Sequence, residues 1–173
     1  MPADSQVSNQ TETDFAGRRD ISVKIQKSFF SGGKETMSMH TVAVMGLGVR
    51  GKIHLHGLLE NPDYYKVVGL CDIDEPKMKA VAEEYHLDDV PLFTDAEEML
   101  KETRPEIFVF VTYPDLRLSV IQLAVKYGVK GISFEKPMAE SLQEAKKIVK
   151  LCHDNGIKAV VCHQQKYLSQ MQT

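Results

Sequence analysis

The chain has no tryptophan, and its 173 residues include only three cysteines, Cys71, Cys152 and Cys162. Three thiols, two of them in apolar, core-like runs, do not make a disulfide framework, so a reducing, cytoplasmic compartment is expected. No apolar run approaches the roughly 20 residues that span a bilayer. Residues 1–20 lack the apolar stretch of a secretory signal. Neither sign of charge is in excess: 21 Lys and Arg stand against 24 Asp and Glu, a net charge of −3. That balance supplies no electrostatic case for nucleic acid or an anionic membrane as partner. What is there, 43% hydrophobic and 26% charged residues, suits one domain with an ordinary core.

Residues 1–38 read as a leader and residues 39–173 as the domain. Met1–Asp20 is rich in Ser, Thr, Gln, Asp and Arg and is expected to be disordered. Ile21, Val23, Ile25, Phe29 and Phe30 suit a short strand or docking segment before the breaker Ser31-Gly32-Gly33. An expression leader is the other reading of this stretch. From Thr41 onward strands and helices alternate. Strands are expected at Thr41–Met45, Lys66–Cys71, Pro91–Phe93, Ile107–Val111, Gly131–Phe134 and Lys158–Cys162. Helices are expected at Val49–Glu60, Glu75–His86, from a capping box Thr94…Glu97 to Thr103, at Asp115–Tyr127, and from a capping box Ser141…Glu144 to Asn155-Gly156. Leu116 on the fourth helix and Leu142 and Val149 on the fifth are assigned to buried faces. Ile107–Val111 is apolar without alternation, as a central strand covered on both faces would be. Six such strands imply an α/β doubly wound parallel sheet, the Rossmann arrangement.

Gly46, Gly48 and Gly51 follow the first strand with GxGxxG spacing. A strand that stops at such a turn and opens a helix is suited to a pyrophosphate. Gly46 allows the tight turn, Gly48 lets the backbone approach the phosphates, and Gly51 lets helix and strand pack closely. Leu47, Val49 and Arg50 complete the candidate loop, and the helix N-terminus faces the anion. The plainer alternative is glycines that serve only a turn. Asp72 ends the second strand, 21 residues past Gly51. A carboxylate there accepts from the adenosine ribose hydroxyls and repels a 2′-phosphate, favouring NAD(H) over NADP(H). No Arg or Lys follows it immediately, which also weighs against NADP(H). The alternative is a turn or cap aspartate, a part Asp74 suits better.

At the same carboxyl edge, Thr112-Tyr113-Pro114 follows strand four and Glu135-Lys136-Pro137 follows strand five. Lys136 is placed to polarise a carbonyl or to take the proton of a hydroxyl as hydride leaves, with Glu135 orienting it. Read locally, without further context, Glu135-Lys136 is a solvated turn. Arg117 reads as a solvated helix charge, and Lys77 and Lys79 as a solvated face.

V-A-V-M-G-L-G-V-R-G, C-D-I-D, V-T-Y-P-D-L-R, S-F-E-K-P-M-A and S-L-Q-E-A-K resemble, in order and spacing, the Gfo/Idh/MocA oxidoreductases over residues 40–170. The resemblance implies an NAD(P)-dependent dehydrogenase or reductase acting on sugars, inositols or related polyols, and a possible homo-oligomer. It implies that Lys136 is the catalytic-site lysine and that the Lys136–Pro137 bond is cis. It gives Gly46, Gly48 and Gly51 the dinucleotide loop and Asp72 the ribose, with Thr112 and Glu135 lining the cofactor cleft. Two departures stand out. Arg117 occupies the place of a histidine common in the family, and the family's C-terminal substrate domain is not expected within 173 residues. His163, Gln164, Gln165 and Lys166 would lie near the nicotinamide, or would form a polar exit loop.

No metal site is expected. Cys152-His153 and Cys162-His163 lack ligand spacing, and His54 and His56 do not face one another on their helix. The expected function is an NAD(H)-binding oxidoreductase domain, incomplete for catalysis alone. The alternative is a non-catalytic dinucleotide-binding sensor or subunit. A methyltransferase on the same sheet is disfavoured by the loop spacing and by the Glu-Lys-Pro segment.

Overall fold

The computed structural model describes residues 38–163. The leader assigned to residues 1–38 lies outside these except for Ser38, and Gln164, Gln165 and Lys166 lie outside them altogether. The elements run β1 (His40–Met45), α1 (Val49–Leu59), β2 (Tyr65–Cys71), α2 (Glu75–Glu84), β3 (Leu92–Phe93), α3 (Ala96–Thr103) and β4 (Ile107–Phe110). A 3-10 turn (Pro114–Leu116), α4 (Arg117–Lys126), β5 (Gly131–Glu135), α5 (Leu142–Asp154) and β6 (Lys158–Cys162) complete them. The strands form one parallel sheet in the order β3-β2-β1-β4-β5-β6. The chain leaves β3 on one side of β1 and resumes pairing as β4 on the other. The sheet therefore switches direction between the carboxyl ends of β1 and β4, where α/β sheets bind ligands.

Both faces of the central strands are buried, and the period of two sorts their side chains between two layers. Val42, Val44, Ile107 and Val109 pack under Leu55, Leu58, Met78, Val81 and Ala82 of α1 and α2. Ala43, Phe108, Phe110, Ile132 and Phe134 pack under Met99, Leu100, Val120, Ile121, Ala124, Ile148 and Cys152 of α3, α4 and α5. Phe110 and Phe134 stack at 5.1 Å.

Three helices start on side-chain caps. Asp74 accepts from Lys77 N–H, Asp95 from Glu98 N–H, and Ser141 from Glu144 N–H. Asp95 rather than Thr94 caps α3, because the chain enters its first turn one residue later than the capping-box spacing predicts. Ser141 caps α5 as expected. Leu116, Leu142 and Val149, assigned to buried faces, are exposed. The helical stripe on α5 is the narrow one of Ile148 and Cys152, so residues at its margin reach solvent.

Candidate functional site

The turn after β1 is built from glycine for steric reasons. Gly46 has φ +83°, and a Cβ on it would lie 2.2 Å from the Val111 carbonyl oxygen. A Cβ on Gly51 would lie 1.7 Å from the Gly46 oxygen. Both positions exclude any side chain. Gly48 differs: its backbone is extended, and a Cβ there would meet nothing within 4 Å. Gly48 is also the N-cap of α1, which has no side-chain cap and no acidic residue in its first turn. Its first N–H groups and positive dipole end thus have no side-chain cap among the described residues. That is a cradle with the shape and polarity for a phosphate.

Asp72 extends from the end of β2 and is 7% exposed. Its Oδ2 accepts from Leu47 N–H at 2.6 Å. Its Oδ1 accepts from Asp74 N–H at 3.0 Å and from Lys77 Nζ at 2.8 Å. Burial alone would raise its pKa, but Lys77 and the two backbone donors outweigh burial and hold the carboxyl below its usual range. Lys77 therefore lies on this carboxylate, not on a solvated face: it sits in the first turn of α2, directly after the bend that leaves β2.

The second cluster lies at the ends of β4 and β5. Glu135 is the last residue of β5 and is buried, not part of a solvated turn. Its Oε1 accepts from Arg50 Nε and Nη2 at 3.1 and 2.9 Å, and from His54 Nε2 at 2.9 Å. Burial raises the Glu135 pKa, and His54 and Arg50 more than reverse that, leaving it below the ordinary value. Glu135 thus holds α1 rather than Lys136. Arg50 and His54 lie one turn apart on α1, but Glu135 is 85 and 81 residues away in sequence, and His54 carried no signal of this contact beyond its place on the helix that opens the glycine loop.

Lys136 follows on the exposed loop, and the Lys136–Pro137 bond is cis, as the resemblance implies. Lys136 makes no side-chain hydrogen bond or ion pair among the described residues. Arg117 is 2% exposed, contrary to the solvated charge expected. Its Nη2 donates to the carbonyls of Thr112 and Lys136 at 3.3 and 3.4 Å, and its Cζ lies 5.8 Å from the Phe134 ring centroid. Burial lowers its pKa, and the charges of Glu135 and Glu144 act in the opposite direction. The guanidinium ties the loop after β4 to the loop after β5. Thr112 Oγ1 and Arg117 Nε and Nη1 are buried with no hydrogen-bond partner among the described residues.

The connections after β1, β2 and β4 each expose one large apolar side chain at this edge: Val49 is 80% exposed, Ile73 90% and Tyr113 78%. A ligand lying along the edge would cover all three. Burial pushes the Cys71 thiol up to about 12 and raises Cys152 and Cys162, which disfavours the thiolate at all three. No group of three His, Cys, Asp or Glu side chains that could hold a metal occurs among the described residues. No helix among them is long and apolar enough to cross a membrane.

The model of the oxidoreductase family with an NAD-binding Rossmann fold matches residues 40–163. A curated relative, the uncharacterized protein YMR315W of Saccharomyces cerevisiae, is 26% identical over 133 residues, which are 76% of this chain and 38% of that protein. Among solved structures, the WlbA dehydrogenase of Bordetella pertussis in complex with NADH and UDP-GlcNAcA aligns with a TM-score of 0.70 at 21% identity, over 78% of this chain and 40% of that one. The scyllo-inositol dehydrogenase of Lactobacillus casei with bound NAD(H) and scyllo-inositol aligns with a TM-score of 0.68 at 16% identity, over 76% and 38%. The chain thus spans about two fifths of the length of the proteins it matches.

Proposed function

This chain belongs to the oxidoreductase family with an NAD-binding Rossmann fold, and from that premise we propose that its Lys136 edge serves hydride transfer to or from a sugar- or polyol-like alcohol or ketone. The dinucleotide lies along the carboxyl edge of the sheet. Its pyrophosphate meets Gly46–Gly51 and the bare N-terminus of α1. The adenosine ribose hydroxyls donate to Asp72, and Thr112, Glu135 and Pro137 flank the other end. Nicotinamide C4, when bound, supplies or accepts the hydride. Lys136 Nζ, as the neutral amine, takes the proton of the substrate hydroxyl. In the reverse direction, as ammonium, it gives that proton to the carbonyl oxygen. Arg117 holds the carbonyls of Thr112 and Lys136 and so positions the loop that carries the amine.

The observation that carries this reading is the uncapped α1 N-terminus at the sheet's switch point, with Asp72 at the next strand end. The molecules bound in the solved neighbours, UDP-GlcNAcA and scyllo-inositol, support the substrate class. Three free, buried cysteines suit a reducing, cytoplasmic setting. The proteins that align are about twice this length. The reading therefore expects these 173 residues to bind NADH with little turnover by themselves.

Calorimetric titration with NADH and S-adenosylmethionine tests the binding half, and NADH alone is expected to bind. No heat of binding with NADH would sink it. For the chemical half, a panel of polyols is assayed, and Lys136→Met is expected to remove any measured turnover while NADH affinity stays within about threefold. Turnover that survives this change would remove Lys136 from the chemistry.

A further inference from the structure

The carboxylate at the ribose position is already heavily engaged. Asp72 Oδ2 accepts from Leu47 N–H, and Oδ1 accepts from both Asp74 N–H and Lys77 Nζ. An ionised carboxylate has about four lone-pair positions, so these three donors leave one. The ribose of NAD(H) presents two hydroxyl donors, at 2′ and 3′. One of them finds a place on Asp72 only if Lys77 swings away. Lys77, by contrast, spends one of its three N–H donors on Asp72 and keeps 39% of its side chain exposed.

Its position is not accidental to the helix. The Lys77 backbone N–H is bound by the cap Asp74 at 3.0 Å, and its ammonium is bound by Asp72. The cation is held at both ends beside the strand end. The neighbouring acids are committed elsewhere: Asp74 caps α2, and Glu75 pairs with Lys79 at 2.6 Å. Lys77 also lines a groove of about 700 Å³ between α1 and α2 that begins at Gly48 and Val49 of the phosphate loop. A second cation, Lys52, lines the same groove, paired with Glu84 at 2.6 Å.

A lone carboxylate at this place repels a 2′-phosphate, and a cation beside it accommodates one. Here both are present and paired, so the site presents no net negative charge to the 2′ position. The geometry points to Lys77 as the residue that sets selectivity at the cofactor's 2′ position. Paired with Asp72, it lets the site take NADP(H) alongside NAD(H). On NADP(H) binding, Lys77 turns one or two donors to the 2′-phosphate, while Asp72 keeps its backbone donors and the 3′-hydroxyl. This inference rests on the dinucleotide reading above.

The test is calorimetric titration of the chain with NADH and with NADPH, for the native protein, Lys77→Met and Lys77→Arg, at low and high salt. The native chain is expected to bind NADPH within about tenfold of NADH. Lys77→Met is expected to weaken NADPH about tenfold or more while NADH changes less than about threefold, and Lys77→Arg is expected to restore NADPH binding. NADPH affinity should also fall more steeply with salt than NADH affinity. NADPH binding more than about tenfold weaker than NADH in the native chain overturns the inference and leaves the dinucleotide reading standing. So does an equal loss of both cofactors in Lys77→Met at unchanged melting temperature. Failure of both cofactors to bind the native chain overturns both.

Discussion

The two ends of the carboxyl edge are made of different material. At β1 and β2 the site is mostly backbone: a glycine turn, the N–H groups of α1, and a carboxylate whose partners include two backbone N–H donors within reach of its own loop. At β4 and β5 it is a set of long side chains brought from separate elements. Arg50 and His54 of α1 close on Glu135 of β5, and Arg117 of α4 spans two loops. The first end is rigid and fixed by sterics. The second is an electrostatic assembly whose buried groups each depend on the others.

The largest break in that comparison should come at Gly51. Its Cβ would enter the Gly46 carbonyl, so Gly51→Val is expected to cost about 3 kcal/mol or more and to abolish NADH binding. A thermal melt within a degree or two of the native protein would show that the turn yields where the comparison says it cannot. Next comes Glu135→Ala, which strands Arg50 and His54. With Arg50 partly exposed, a cost of about 2 kcal/mol is expected from denaturant unfolding.

The pH dependence has a definite sign. Glu135 is held below its ordinary 4.5 in the folded state. Its contribution is fully present above that value and is lost as pH falls through the lowered folded pKa. The stability gap between the native chain and Glu135→Gln should accordingly be constant near neutrality and shrink below about pH 4.5. A gap that widens on acidification would contradict the pairing.

At the rigid end, Asp72→Ala is expected to weaken NADH by about 10- to 100-fold and NADPH by less, since charge-assisted hydrogen bonds to the ribose are lost. The reverse order would remove Asp72 from the ribose. The smallest effect concerns α3, where Asp95→Ala should cost about 1 kcal/mol and Thr94→Ala far less. Equal effects in urea unfolding would dissolve the distinction between the cap and its neighbour.

The element order and the parallel sheet were legible because the signals are local: apolar runs of strand length, helical stripes, and Gly and Pro at the breaks. Most strand and helix bounds agree within a residue or two, and the unalternating Ile107–Phe110 is indeed buried on both faces. The glycine turn was legible for the same reason, since its geometry is decided by the missing Cβ atoms of the loop itself. Arg117, Glu135, His54 and Lys77 were not. Each is a charged or polar residue whose local surroundings look like surface. Arg117 and Glu135 prove to be buried, and His54 and Lys77 are bound to the two buried carboxylates at the strand ends.

Sequence alone determined the fold class, the turn that opens α1 and the carboxylate beyond it, because backbone sterics and hydrophobic periodicity act between residues close along the chain. Tertiary structure alone decided which charges meet. Lys77 reaches Asp72 only because the bend between β2 and α2, tied by Asp72 and Asp74, brings the first turn of α2 back beside the strand end. Arg50 and His54 reach Glu135 only because α1 lies across the sheet face to which the last residue of β5 points. Electrostatic pairing depends on distance through space, and the packing of helices on a twisted sheet sets that distance.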